Sequence, residues 1–212
     1  VDLSASDSDV PANSLLYSIE APSPAGVTVN PVSGRLVWAP SEEQGPGSHV
    51  ITVKARDNGS PVLSDTRSFN VMVEEVNQKP VLDEVGDVPV NEGTPLRIEP
   101  TATDGDIPGN SLMFSLDPGA PEGMTIDPFT GVIDWETGET DGPDDYPITI
   151  RVTDNGAGAL EDFETLTVSV REVNTPPTLG AIGNGSVNEL QSLGFDASAT
   201  DADIPANGFS FS

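Results

Sequence analysis

Aspartates in closely spaced pairs are the residues best placed to do chemistry. Asp7 with Asp9, Asp104 with Asp106, and Asp201 with Asp203 are three copies of a DxD pair, and each begins 97 residues after the one before. In an extended segment, residues two apart face the same side, so both carboxylates of a pair can reach one hard cation. Calcium suits such a site because it accepts about six to eight oxygens in irregular geometry. Backbone oxygens near Asn110 would add a ligand. Asp154 closes one strand pattern, while Glu75 and Asn77 close another just before Lys79-Pro80, so acids from successive modules converge. Gathered carboxylates repel one another unless a cation joins them. A lone DxD is a weak signal, and the blander reading is a set of hydrated acidic loops.

The elements that position these residues repeat with the same period. Trp38 recurs as Trp135, Asp57-Asn58-Gly59 as Asp154-Asn155-Gly156, Glu75-Val76-Asn77 as Glu172-Val173-Asn174, and Asn91-Glu92 as Asn188-Glu189. A fixed period of this kind marks a tandem array. The register predicts a first module over 1–77 lacking its opening strand, a complete module over 78–174, and the N-terminal part of a third over 175–212. On this reading no DxD pair has its full complement of partners.

Within the complete module, apolar residues alternate with polar ones, as in half-buried strands. Leu112, Phe114 and Leu116 form one set, Ile148, Ile150 and Val152 a second, and Leu166, Val168 and Val170 a third. Between them, VTVNPVSGRLVW (27–38) and MTIDPFTGVIDW (124–135) read as strand, turn and strand. Trp38 and Trp135 are read as core anchors. About seven short strands per module, bounded by turn residues, predict an all-β fold of tandem Ig-like antiparallel β-sandwiches.

Thirty-five acidic against eight basic residues give a net charge of -27. That charge repels a phosphate backbone, which argues against nucleic acid as a partner and in favour of cations. Cysteine is absent, so thiolate chemistry and disulfides contribute nothing. No apolar run approaches the roughly 20 residues of a membrane-spanning helix, so direct membrane insertion of this segment is not expected. The one histidine, His49, aligns with Tyr146 and supports no catalytic triad. A carboxylate pair repeated in every module points to a repeated structural purpose, so the chain reads as non-enzymatic.

The segment ARDNGSPVLSDTRSFNVMVEEVNQKP (55–80) resembles the end of a cadherin repeat, and TATDGDIPGNSLMFSL (101–116) resembles the DxD loop of the following one. The TIDPFTG and tryptophan element is similar to that of dystroglycan-type cadherin-like and Ig-like modules of bacterial surface proteins. The resemblance implies Ca2+ ligation between repeats. At a first junction it implies Glu75, Asn77, Asp104, Asp106, Asn110 and Asp154. At a second it implies Glu92, Glu172, Asn174, Asp201, Asp203 and Asn207, and in the first module Asp7, Asp9, Asn13 and Asp57. Two departures weaken the pattern: Gln78 and Thr175 stand where the family often has Asp, and a DRE motif is missing, with Glu42, Glu43, Glu139 and Asp141 as approximate substitutes.

The resemblance further implies a calcium-binding, extracellular segment of a large surface or adhesion protein, in which the ion stiffens the junctions. The alternative is a carbohydrate- or protein-binding or spacer module without functional calcium sites. Other surface proteins or glycans are the expected partners. Head-to-tail self-association is a further expectation, because residues 178–212 hold the strands that the first module lacks.

Overall fold

The computed structural model describes residues 1–210; Phe211 and Ser212, the last two residues of the expected third module, lie outside the described residues. Two compact units divide the chain. One holds Val1–Asn77 with Asp106–Asn110, and the other holds Gln78–Gly105 with the residues from Ser111 onward.

The first unit contains β1 (Leu16–Glu20), β2 (Thr28–Val29), β3 (Leu36–Val37), β4 (Gly47–Arg56) and β5 (Ser64–Val73). Strands β1, β4 and β5 form an antiparallel sheet in which Ile19 faces Val53 and Ile51 faces Phe69; β2 and β3 pair separately. Leu36, Ile51 and Val53 are buried, with Leu3, Ile19, Val27 and Val71 packed around them. Thr52, between Ile51 and Val53 on β4, is buried as well, its amide donating to the Ser23 hydroxyl at 3.0 Å and its hydroxyl paired with that of Ser68 at 2.9 Å.

The second unit contains β6 (Val81–Leu82), β7 (Val88–Asn91), β8 (Pro95–Ile98), β9 (Ala102–Thr103), β10 (Leu112–Leu116), β11 (Thr125–Ile126), β12 (Ile133–Glu136), β13 (Asp144–Asp154), β14 (Glu161–Arg171), β15 (Thr178–Leu179) and β16 (Ala199–Thr200). One sheet runs β10-β13-β14-β7 and the other β11-β12-β8, with β6-β9 and β15-β16 as separate pairs. Between the two larger sheets lie Ile133, Ile150, Val152 and Val168, all fully buried, together with Trp135, Ile148 and Leu166. The all-β sandwich is thus the observed fold. One detail differs from expectation: β7 runs parallel to β14, with Val88 opposite Val168 and Val90 opposite Val170. Strand β7 arrives from the preceding segment instead of a hairpin, and the Asp87 carboxylate anchors its start by accepting the Thr167 amide at 2.8 Å.

Each unit repeats the same turn before its tryptophan. The Asp127 carboxylate accepts the amides of Thr130, foremost, and Phe129, which hold its pKa below the usual range, and Asn30 accepts those of Val32 and Ser33. Gly131 closes the turn at φ +74°, and an added Cβ would meet the Phe114 ring at 2.9 Å. Only glycine meets both demands.

The two tryptophans diverge. Trp135 is buried, sits opposite Leu96 of β8, and meets the Tyr146 ring edge-on at 5.0 Å. Trp38, also expected in the core, is only half-buried, because among the described residues no strand lies beside it in the register that β8 occupies. Its indole N–H still donates to the Ala25 carbonyl at 3.2 Å, just as that of Trp135 donates to Glu122.

Candidate cation sites

In the first unit, Glu75 lies just beyond β5, while Asp106 lies on the loop that follows β9. A single 3-10 turn, Glu42–Gln44, brings a third acid; the Gln44 side chain fixes its start by accepting the Ser41 amide at 3.0 Å. Carboxylate oxygens of Glu42, Glu75 and Asp106 lie within 4.8 Å of one another. The Asn110 amide donates to Asn77 Oδ1 at 2.8 Å and to the Asp106 carboxylate, and the Ile107 amide donates to Glu42 at 3.2 Å. Four of the expected residues, Glu75, Asn77, Asp106 and Asn110, are thus brought together.

The second unit repeats this arrangement one period later. Carboxylate oxygens of Glu92, Glu139 and Glu172 lie within 4.8 Å of one another. The Asn207 amide donates to Asn174 Oδ1 at 2.9 Å and to Asp203 at 2.8 Å, and the Ile204 amide donates to Glu139 at 2.9 Å. Asp201 turns its carboxylate onto the Asp203 amide at 2.9 Å. Asp203 is buried and also accepts the amide and hydroxyl of Thr175, the hydroxyl at 2.6 Å; these bonds, the hydroxyl's foremost, hold its pKa below the usual carboxylate range.

Glu92 and Glu172 are less fully satisfied. Glu92 Oε1 accepts the Val173 amide at 2.9 Å, but Oε2 of Glu92 and Oε2 of Glu172 are buried with no hydrogen-bond partner among the described residues. Burial raises the Glu172 pKa, and the nearby charges of Glu92, Glu139 and Asp203 raise it further. Buried polar atoms normally find partners. An all-oxygen set with two orphaned carboxylate oxygens fits calcium, a hard cation, and offers nothing to a metal that favours nitrogen or sulfur.

The remaining expected residues occupy loop positions. Asp154 is buried at the end of β13, where it accepts the amides of Gly156 at 2.9 Å and Leu160 at 3.1 Å; Asp57 does the same for Gly59 and Leu63. Asp104 is half-buried just after β9. Asp7 accepts the Asp9 amide at 2.8 Å, and Asn13 donates to Asp9 at 2.8 Å, repeating the DxD loop geometry. His49 contacts the Gln44 carbonyl at 2.5 Å and packs edge-on to Trp38, which is a structural role.

Glu42 and Glu139, approximate substitutes for a missing motif and not among the expected ligands, supply the third carboxylate of each group. Their 97-residue separation was the available signal. Thr175, which stands where the family often has Asp, is the principal partner of Asp203.

The family described as "Putative Ig domain" matches residues 79–171. Human Protocadherin Fat 1 is 30% identical over 180 residues, covering 76% of this chain and 4% of its own length. Human Protocadherin-1 is 33% identical over 135 residues, covering 59% of this chain and 13% of its own. Among solved structures, mouse Cadherin-23 EC22-24 superposes with a TM-score of 0.56 at 25% identity, covering 84% of this chain and 61% of that one. The chain therefore spans only a small part of the curated relatives it matches. With the repeated register and the sandwich already in hand, these matches support cadherin-like repeats in this chain.

Proposed function

We propose that this chain is a segment of an extracellular surface or adhesion protein, and that the acidic cluster of its second unit binds calcium. The observation that carries the reading is the pair of buried, unpartnered oxygens, Glu92 Oε2 and Glu172 Oε2, facing a third carboxylate from Glu139. Glu92, Glu139 and Glu172 would hold the ion, with Asn174, Asp201, Asp203 and Asn207 around them. A bound calcium supplies the positive charge that offsets their mutual repulsion. The protein's part is positional. Thr175 orients Asp203, the Ile204 amide orients Glu139, and the Val173 amide orients Glu92.

Such a site orders the loop after β16 against the segment after β14, and a repeat so anchored bends less. In the first unit, Glu42, Glu75, Asn77, Asp106 and Asn110 form the corresponding set, and Asp7, Asp9, Asn13 and Asp57 its weaker relative. Ligand roles for Asp104 and Asp154 rest on the repeat register. The module division 1–77, 78–174 and 175–212 belongs to the same proposal. Catalysis has no part in it, and adhesive partners would be other surface proteins or glycans.

Calorimetric titration with calcium tests the reading. Saturable heat in the native chain, greatly reduced in Glu92→Gln and Glu172→Gln, is the expected result; no heat in the native chain leaves a spacer whose acids are merely hydrated.

A further inference from the structure

Asparagine stands directly before glycine four times, as Asn58-Gly59, Asn155-Gly156, Asn184-Gly185 and Asn207-Gly208. Glycine has no Cβ to shield its amide nitrogen, which in this dipeptide can attack the side-chain amide carbon of the asparagine. Only the first two of these pairs follow an aspartate, Asp57 and Asp154, and they lie one period apart.

In the second unit, Asn155 is exposed and directly follows β13. Its Oδ1 accepts the Ser111 amide at 2.8 Å. A donor at that oxygen polarises the side-chain amide and stabilises the negative charge that develops there when the carbon is attacked. The electrophile is therefore activated, but the nucleophile is restrained. The Gly156 amide donates its proton to Asp154 Oδ1 at 2.9 Å, and the same oxygen accepts the Leu160 amide at 3.1 Å. A hydrogen bond from N–H to a carboxylate favours the protonated nitrogen, whereas attack requires the deprotonated one. Asp154 is itself buried, which holds its carboxylate against the two amides. The first unit repeats every contact: Asn58 Oδ1 accepts the Ser14 amide at 2.9 Å, and Asp57 Oδ1 accepts the amides of Gly59 at 2.9 Å and Leu63 at 3.0 Å.

We infer that Asn155 and Asn58 are deamidation sites held latent by the aspartate before each. The reaction forms a bond between the Gly156 nitrogen and Asn155 Cγ and breaks the bond from Cγ to Nδ2. Ammonia leaves, carrying the proton lost by the glycine amide. Water then opens the cyclic imide at either carbonyl, giving aspartate or isoaspartate at position 155. The isoaspartyl link lengthens the main chain by a carbon beside Asp154, which pairs with Leu112 of β10, and so displaces the Gly156 amide from the carboxylate that restrained it. The chemistry needs only water, so it stands apart from the calcium binding proposed above.

Peptide mapping of the full chain after long incubation at mildly alkaline pH in chelator tests the inference, with isoaspartyl methyltransferase labelling to mark the isomer. Asn184, which follows Gly183 instead of an aspartate, is the internal reference. In the native chain Asn155 and Asn58 should deamidate at least roughly tenfold more slowly than Asn184, and in denaturant all three should react at similar rates. Asp154→Asn keeps an accepting oxygen but removes the charge; it should speed the reaction at Asn155 roughly tenfold and leave Asn58 unchanged. Asp57→Asn should do the converse, so if one variant unfolds its unit, the other decides. Denaturant unfolding shows which variants are folded. Asn155 as reactive as Asn184 in the native chain, or as slow in a folded Asp154→Asn variant as in the native chain, would overturn the inference.

Discussion

Glu92 Oε2 rests so close to Gly142 that a Cβ on that glycine would come within 2.6 Å of it, and within 3.2 Å of Val170 Cγ1. The buried carboxylate and the absent side chain are two halves of one feature. Gly142→Ala should displace Glu92 and strain the sheet beside it, costing about 1–3 kcal/mol as overpacking does. Denaturant unfolding of the variant measures this, and calcium titration of the same variant should show weakened binding. An unchanged midpoint would mean that Glu92 moves aside freely.

The two tryptophans should differ in their cost. Trp135→Ala empties a closed core position and should destabilise the second unit by about 3–5 kcal/mol. Trp38→Ala removes a half-buried ring and should cost less than half as much. Denaturant unfolding compares the two variants, and equal losses would contradict the difference in burial.

Acid should weaken the second unit through two ion pairs. Lys79 and the Leu82 amide hold the Asp162 pKa below the usual range, and Arg151 does the same for Asp117. A folded-state pKa below the unfolded value means that the stabilisation is complete above the ordinary carboxylate range and is lost as pH falls through the lowered value. Asp162→Asn combined with Asp117→Asn should therefore flatten the acid limb of a stability profile while lowering stability at neutral pH. An unaltered slope below the ordinary carboxylate range would refute the assignment.

Much of the fold was legible because each cue recurred one period later. Ile148, Ile150 and Val152 alternate in sequence as they alternate in the sandwich, and Ile51 and Val53 repeat them. Trp38 misled because burial depends on the strand opposite, which its own sequence does not encode. The parallel course of β7 escaped for a similar reason: Val88–Asn91 alternates alike in either direction. In the candidate site, Glu75, Asp106, Glu172 and Asp203 could be read from their motifs. Glu42 and Glu139 could not, since they stand on loops that carry no pattern except their spacing. Thr175 shows why a residue type alone misleads: it brings no carboxylate, yet its hydroxyl and amide orient one.

The central claim, that a cation resolves the repulsion among Glu92, Glu139 and Glu172, predicts a reversal of sign. Burial and the neighbouring carboxylates raise the Glu172 pKa, so its ionised form opposes folding when no cation is bound. The decisive measurement is thermal unfolding of the native chain and Glu172→Gln, each in chelator and in saturating calcium. In chelator the variant should melt higher than the native chain, and in calcium it should melt lower. The same order of stability in both conditions would contradict the account.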